Sequence, residues 1–193
     1  GRGWGLTPLE VDPPDHGKYR ALLNPLFSPA RMAALEQQVR ARAAAMIEEL
    51  LPRGQCDFVT DFAQRFPAAI FVDLMGLPSD RIPQFMAWEG DMLGGDHAAK
   101  VRATDEVIAY LEELARARRA NPIDDLMSFA VTAEMDGRRL SDGEVMGIVF
   151  LLFIGGLDTV ASSLGFHFRY LAEHPEDQAR MRAEPGRIPD AVE

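Results

Sequence analysis

The sequence has very little cysteine, no long uninterrupted hydrophobic run and a shortage of basic residues. Cys56 is the only cysteine among 193 residues, which excludes an internal disulfide and a metal site built from several cysteines. The longest apolar run, residues 146–157, is shorter than the roughly 20 residues needed to cross a bilayer. A formal net charge of -10 disfavours nucleic acid and anionic lipid as partners. These absences predict a cytoplasmic protein that binds neither nucleic acid nor a membrane.

Alternation of apolar and polar residues, which marks half-buried strands, is also nearly absent, whereas helix start and stop signals recur. We therefore predict a mainly α fold with minor β structure, in which a turn at Asp136-Gly137 joins two short strands. Arg116, Arg118 and Arg119 are expected to form a solvated helix end. The predicted helices cover approximately residues 12–27, with Asp12 as N-cap, 28–51, 61–75, 79–92, 98–120, 124–131 and 141–173.

The last of these helices is predicted to be the centre of the fold. Ser141 followed by Glu144 is a capping-box sequence that starts it. Every position from 148 to 154 is apolar, so this part of the helix has no face suited to water. The sequence therefore predicts that other helices enclose it.

Glycines and polar residues interrupt this apolar helix at Gly155, Gly156, Asp158 and Thr159. Each glycine costs about 1 kcal/mol relative to alanine, and an unpaired buried carboxylate costs more. Paired glycines let another group approach the backbone, and the Thr159 hydroxyl can donate to the carbonyl of Gly155. An acid and a hydroxyl beside such a groove are suited to relaying protons. The alternative from spacing alone is a helix crossing softened by glycine, with Asp158 reaching the surface.

This segment resembles the oxygen-activating motif A/G-G-x-D/E-T of the cytochrome P450 family. Further segments resemble the family in the order that it requires: Asp12-Pro13-Pro14-x-His16-x-x-x-Arg20, Phe27-Ser28-Pro29, His174-Pro175-Glu176 and Ile188-Pro189-x-Ala191-Val192-Glu193. The resemblance covers nearly the whole chain. It implies that residues 1–193 are part of a single P450 domain, without the family's N-terminal segment and its C-terminal haem-ligand region.

The resemblance implies a haem-dependent monooxygenase that hydroxylates a small apolar molecule, terpene-like or an aromatic hydrocarbon, with O2. Thr159 would hydrogen-bond the oxygen and Asp158 would supply protons to it, beside an oxygen groove formed by Gly155 and Gly156. Haem b is the implied cofactor of the complete protein, and a [2Fe-2S] ferredoxin is the implied electron donor.

The resemblance also assigns the haem contacts. His16 and Arg20, four residues apart on one helix face, would bind a haem propionate, and the ferredoxin would dock near Arg20. The family's iron ligand is a cysteine in the loop F-x-x-G-x-x-x-C-x-G, after a Glu-x-x-Arg helix, and the resemblance places both of these segments beyond Glu193. Cys56 stands in a different context and is not that ligand. We expect no metal ligand in this chain, and the fragment alone to be inactive.

Within the family, the likeness is greatest to the bacterial camphor-hydroxylating group. Trp4 stands eight residues before the Asp-Pro-Pro motif, where that group's enzyme has a substrate-binding tyrosine, so camphor itself is disfavoured. Trp4, Leu6 and Leu9 on one side are predicted to line an apolar substrate pocket. Leu151 and Ile154 of the central helix are predicted to complete it.

One further expectation concerns Asp158, and two alternative functions fit the same residues. No Lys or Arg occurs between Pro83 and Ala99, so we expect Asp158 to lack the paired basic residues that restrain the corresponding acid in the camphor enzyme. A different class of protein also fits the residues: a non-enzymatic helical module that holds an apolar ligand in the Gly155-Gly156 groove. A degenerate family member without iron is a third alternative.

Overall fold

The computed structural model describes residues 3–192 and is 79% helical, which confirms the mainly α prediction. The longer elements were predicted within a few residues of their ends. In the described part of the chain, the helices are α1 Asp15–Leu23, α2 Pro29–Leu50, α3 Arg65–Leu74, α4 Ile82–Gly94, α5 His97–Ala120, α6 Leu126–Thr132, α7 Asp142–Glu173, α8 Pro175–Ala183 and α9 Ile188–Val192. Short helical turns occur at Asn24–Phe27, Leu51–Arg53, Val59–Ala63, Ser79–Arg81 and Pro185–Arg187.

Within residues 3–192, the β structure is one hairpin, β1 Glu134–Met135 and β2 Arg138–Arg139, paired antiparallel. Asp136 and Gly137 both have positive φ, 53° and 76°, at the turn. A two-residue turn with both residues in the left-handed region matches the right-handed twist of the strands. The predicted hairpin is therefore present.

Helix α1 starts later than predicted. Asp12 was expected to cap it, but the helix begins at Asp15, and only the backbone carbonyl of Asp12 accepts a hydrogen bond, from the His16 amide at 3.1 Å. The physical reason is the pair Pro13-Pro14: proline lacks an amide N–H, and it disfavours the helical conformation in the residue before it. The Asp12 N-cap prediction was wrong.

The start of α7 carries the predicted capping box. Glu144 Oε2 accepts from the Ser141 amide at 2.7 Å, and the Ser141 hydroxyl accepts from the Glu144 amide at 3.3 Å. Arg138 and the Tyr19 hydroxyl also bind this carboxylate, Tyr19 at 2.5 Å. The bonds from Arg138 hold the pKa of Glu144 well below its usual range. The carboxylate thus joins α1, the hairpin and α7.

The core surrounds the first half of α7. Phe153 of α7 is fully buried and meets Phe85 of α4 and Phe71 of α3 edge to face, each at 5.7 Å between ring centroids. Helix α5 packs on the same core through a stripe of small and branched residues, Ala103, Val107 and Leu111. The predicted enclosure of the apolar segment is therefore present.

The second half of α7 is mostly exposed in the described part of the chain. Its contacts include an aromatic ladder in which the rings of Phe168 and Phe58 stack at 3.9 Å, followed by Phe62 and Phe66. Phe166, on the same half of the helix, is 70% exposed. Enclosure thus ends near the polar segment.

By length and composition, α7 could also cross a membrane, with a mean hydropathy of 2.0 over its most apolar 18 residues. Half of that window is buried inside the structure. A central core helix has the same properties, so a single helix of this kind is weak evidence for a membrane span.

Arg118 is not part of a solvated helix end, contrary to the expectation. Its side chain is only 16% exposed, lies 2.5 Å from the carboxylate of Asp125 and donates to the Gly76 carbonyl at 3.0 Å. Asp125 is 1% exposed and caps α6 by accepting from the Ser128 amide at 2.6 Å. Arg118 and Asp125 therefore join α5, α6 and the turn after α3.

Candidate active site

The polar segment of α7 has the local hydrogen bond that the sequence predicts. The Thr159 hydroxyl donates to the carbonyl of Gly155 at 2.6 Å, and the Ser163 hydroxyl donates to the carbonyl of Thr159 at 2.9 Å. Apart from its chain neighbours and the adjoining backbone of α7, no atom of the described residues lies within 4 Å of the position that a Cβ would take at Gly155. The helix therefore presents an open strip of backbone beside the Thr159 hydroxyl.

A cavity of about 440 Å³ lies against this strip. Five of the predicted site residues on α7 line it: Leu151, Ile154, Gly155, Asp158 and Thr159. Leu6, from the segment before α1, lines it as well. Asp158 and Thr159 therefore face a hollow with a largely apolar wall.

Trp4 and Leu9 do not line this cavity, so their place in the substrate pocket stays a prediction. The Trp4 ring stands edge-on to Phe150 at 5.5 Å and borders a separate groove on α5. Leu9 is 68% exposed. Hydrogen bonds between Leu6 and Glu10 close a tight turn that leaves Leu9 on its outer side.

The two glycines of the motif have different surroundings. A Cβ at Gly156 would overlap the ring of Phe71 on α3, whereas Gly155 borders the cavity. The structure therefore brings Gly155, but not Gly156, to the cavity, and the predicted oxygen groove stays a prediction. Gly156 permits a close helix crossing, which was the alternative weighed from spacing, and Gly155 alone leaves open space.

Because Gly155 and Gly156 have different surroundings, replacing each with alanine should change the free energy of unfolding in opposite directions. Gly156→Ala should lower the free energy of unfolding by about 1–2 kcal/mol, because overpacking costs about 1–3 kcal/mol and the alanine returns up to about 1 kcal/mol of helix propensity. Gly155→Ala meets no neighbour and should raise it by about 1 kcal/mol. Equilibrium urea unfolding of both variants checks this, and equal effects at the two positions would contradict the assignment.

Asp158 is half-buried and accepts a hydrogen bond from the Ser162 hydroxyl at 3.2 Å. Among residues 3–192, no Lys or Arg lies within salt-bridge distance of it. The structure thus agrees with the expectation that basic residues do not restrain this carboxylate.

Glu89 of α4 lines the same cavity and was not predicted from the sequence. Its Oε1 atom is buried without a hydrogen-bond partner in the described structure. Burial, followed by the nearby charge of Asp158, raises the pKa of Glu89 to about 7. A signal was present: Phe85, Glu89 and Met92 share one face of α4 at helical spacing, so Glu89 interrupts an otherwise apolar stripe.

His16 and Arg20 lie within α1, one turn apart on the same face. Neither side chain makes a hydrogen bond or salt bridge with another described residue. Arg20 is exposed and His16 is half-exposed, and neither borders the cavity. Both remain available to bind an anion.

The sequence profile of the Cytochrome P450 family matches residues 83–190, more than half of the chain. The chain belongs to the cytochrome P450 family. The match includes α4, α5 and α7, which supply most of the cavity wall of this P450 chain.

Individual P450 proteins are similar over almost the whole chain. The protein named "Probable cytochrome P450 127A1" of Sinorhizobium fredii is 42% identical over 100% of this chain and 47% of its own length. Steroid C26-monooxygenase of Mycobacterium tuberculosis is 31% identical over 96% of this chain and 52% of its own length. A myxobacterial cytochrome P450, CYP267B1, solved with myristic acid, superimposes with a TM-score of 0.88 at 31% identity, covering 98% of this chain and 48% of that one. The chain therefore spans about half the length of these P450 relatives.

Cys56 does not belong to the P450 site described here. It is exposed in the loop before the turn at Val59–Ala63, and it does not line the cavity. No group of three or more His, Cys, Asp or Glu side chains suited to a metal ion occurs among residues 3–192. That Cys56 is not the iron ligand stays a prediction.

Proposed function

We propose that this chain is the central part of a haem-dependent P450 monooxygenase that hydroxylates a small apolar molecule with O2. The observation that carries the proposal is the cavity in which the open backbone at Gly155, the carboxyl of Asp158 and the hydroxyl of Thr159 meet an apolar wall. Membership of the P450 family supports it, since members use haem b and oxygen.

The described residues fit a haem in two respects. His16 and Arg20 share a face of α1 on which neither has a described partner, and this face would hold a propionate, in the way that Arg binds carboxylates. The open strip at Gly155 leaves room beside α7. The haem would supply oxygen activation and electron transfer, with its iron bound by a cysteine outside this chain.

The residues of α7 then have separable tasks. The Thr159 hydroxyl, held by the carbonyl of Gly155, positions a hydrogen-bond donor at the cavity. Asp158, held by Ser162 and free of basic partners among the described residues, transfers protons from solvent toward that position. Leu151 and Ile154 exclude water and contact the substrate.

The apolar wall supports a hydrocarbon-like substrate, terpene-like or aromatic. The relatives are compatible with this class, because one is named as a steroid monooxygenase and another was solved with a fatty acid. We further propose a [2Fe-2S] ferredoxin as electron donor, docking near Arg20, and a cytoplasmic location. We propose a likeness to the camphor-hydroxylating group as well, which concerns the group and not the substrate.

The coding sequence past Glu193 tests the proposal. A Glu-x-x-Arg segment and a cysteine loop are expected there, and the extended protein, reduced and treated with carbon monoxide, should show the absorption band after which the family is named. Haem-free protein that still binds an apolar ligand would favour the non-enzymatic module instead. An extension without the cysteine loop would indicate a degenerate member and would reject the proposed activity.

A further inference from the structure

Glu89 and Asp158 are two carboxyl groups on the wall of one cavity, carried by different helices. Asp158 has a hydrogen bond from Ser162, whereas Glu89 Oε1 is buried and has no partner in the described structure. An unsatisfied buried carboxylate oxygen is unfavourable, and protonation or a proton donor relieves it. The arrangement therefore favours a carboxyl that keeps its proton.

No described basic group is placed to neutralise the pair. Of the charged side chains on the helices packed against α4, Asp158 is the one that acts on Glu89. Several of the others have contacts elsewhere: Glu106 accepts from the Trp88 indole, Asp73 pairs with Arg42, Arg81 lies over the Tyr110 ring, and Lys100 and Asp105 border a separate groove. Two nearby carboxyl groups without a cation share one proton more readily than they both ionise.

We propose that Glu89 and Asp158 act as a single proton-holding pair, in which Glu89 stores the proton that Asp158 passes into the cavity. This deepens the proposed monooxygenase function and depends on it. In the transfer step, which water in the cavity carries because no hydrogen bond joins the two carboxyl groups, the Glu89 O–H bond breaks and an Asp158 O–H bond forms. Asp158 then donates the proton toward Thr159, and solvent entering the cavity returns a proton to Glu89. The step changes no oxidation state. Glu89 is a positioning and proton-storing residue, since it acts through Asp158.

Infrared difference spectroscopy of the extended haem protein tests whether Glu89 stores a proton. The measurement does not require catalytic turnover. The carbonyl stretch of a protonated carboxyl should disappear as pH rises through about 7, far above the ordinary 4.5 of glutamate, because burial and Asp158 raise the pKa of Glu89. The signal should be absent in Glu89→Gln and should titrate at lower pH in Asp158→Asn. Asp91→Asn is the matched control, an exposed acid two residues along α4, and should leave the signal unchanged. A signal that survives Glu89→Gln, or that is missing from the parent protein, would overturn the proposal.

A second experiment tests whether the proton stored on Glu89 reaches the cavity through Asp158. It measures the ratio of product formed to oxygen consumed as a function of pH. In the parent protein this ratio should fall above pH 7, as Glu89 loses its stored proton. Glu89→Gln should lower the ratio by about tenfold at pH 6, which is less than the roughly 10²–10⁴-fold of a group that transfers the proton directly, because Glu89 acts through Asp158. It should also flatten the pH profile. Glu89→Asp should restore part of the ratio and part of its dependence on pH. A Glu89→Gln profile that matches the parent refutes delivery through Glu89, whereas loss of the monooxygenase assignment would show separately as unchanged coupling in Thr159→Ala.

Discussion

Replacing Thr159 with alanine is expected to lower product formation by between about tenfold and 100-fold, while oxygen consumption continues and hydrogen peroxide accumulates. The hydroxyl of Thr159 lies at the cavity, oriented by its 2.6 Å bond to the carbonyl of Gly155. Positioned proton-transfer groups contribute about 10²–10⁴-fold, and water entering the vacated space should retain part of that contribution. Product, oxygen and peroxide measured together in the extended protein check this.

Thr159→Ser supplies the control for this prediction. Serine keeps the hydroxyl and the acceptor at Gly155 but loses the methyl group, so it should retain most of the coupling. Ser163→Ala, one turn further along α7, removes a hydroxyl that bonds only to the helix backbone and should leave coupling unchanged. Equal coupling in Thr159→Ala and in the parent protein would reject the role assigned to this hydroxyl.

Arg118→Ala is expected to lower the free energy of unfolding by about 3–5 kcal/mol, the range measured when one member of a buried ion pair is removed. The substitution leaves the carboxylate of Asp125, 1% exposed, without its cation, and leaves the Gly76 carbonyl without its donor. The same carboxylate caps α6, so the connection between α5 and α6 should weaken as well. Equilibrium urea unfolding measures the loss.

The matched control is Arg116→Ala on the same helix. Arg116 is exposed, and its described hydrogen bond goes to the carbonyl of Glu112 within α5. Its replacement should change the free energy of unfolding by less than about 0.5 kcal/mol, as surface substitutions usually do. If Arg118→Ala lowers the free energy of unfolding as little as Arg116→Ala does, the buried ion pair of Arg118 and Asp125 contributes little to stability.

The architecture of the site follows from a change of environment along one helix. The first half of α7 is enclosed by α3, α4 and α5 through the cluster of Phe71, Phe85 and Phe153. The second half is mostly exposed, and the polar segment lies where the two meet. The cavity at that boundary has a largely apolar wall that also carries Asp158 and Thr159, which suits both a hydrocarbon and a proton path.

Features that depend on neighbours in the chain could be predicted from the sequence. The capping box at Ser141, the positive-φ turn at Asp136-Gly137 and the Thr159 hydrogen bond each join residues within about one turn, and all three are present. The apolar stretch before Gly155 also predicted its own enclosure, because no face of it suits water. The family followed from motif order along the chain, and the P450 profile bears it out.

Features that depend on which distant surfaces meet required the tertiary structure. Glu89 and Asp158 are 69 positions apart, and only the packing of α4 against α7 brings both to one cavity. Arg118 has the pattern of a solvated helix end, yet α6 and the turn at Gly76 bury it. Gly155 and Gly156 are neighbours of the same type, and Phe71 of α3 alone distinguishes them. Local hydrogen bonds and hydrophobic periodicity are encoded within a few residues, whereas burial, and the pKa values that follow from it, depend on contacts between helices remote in the chain.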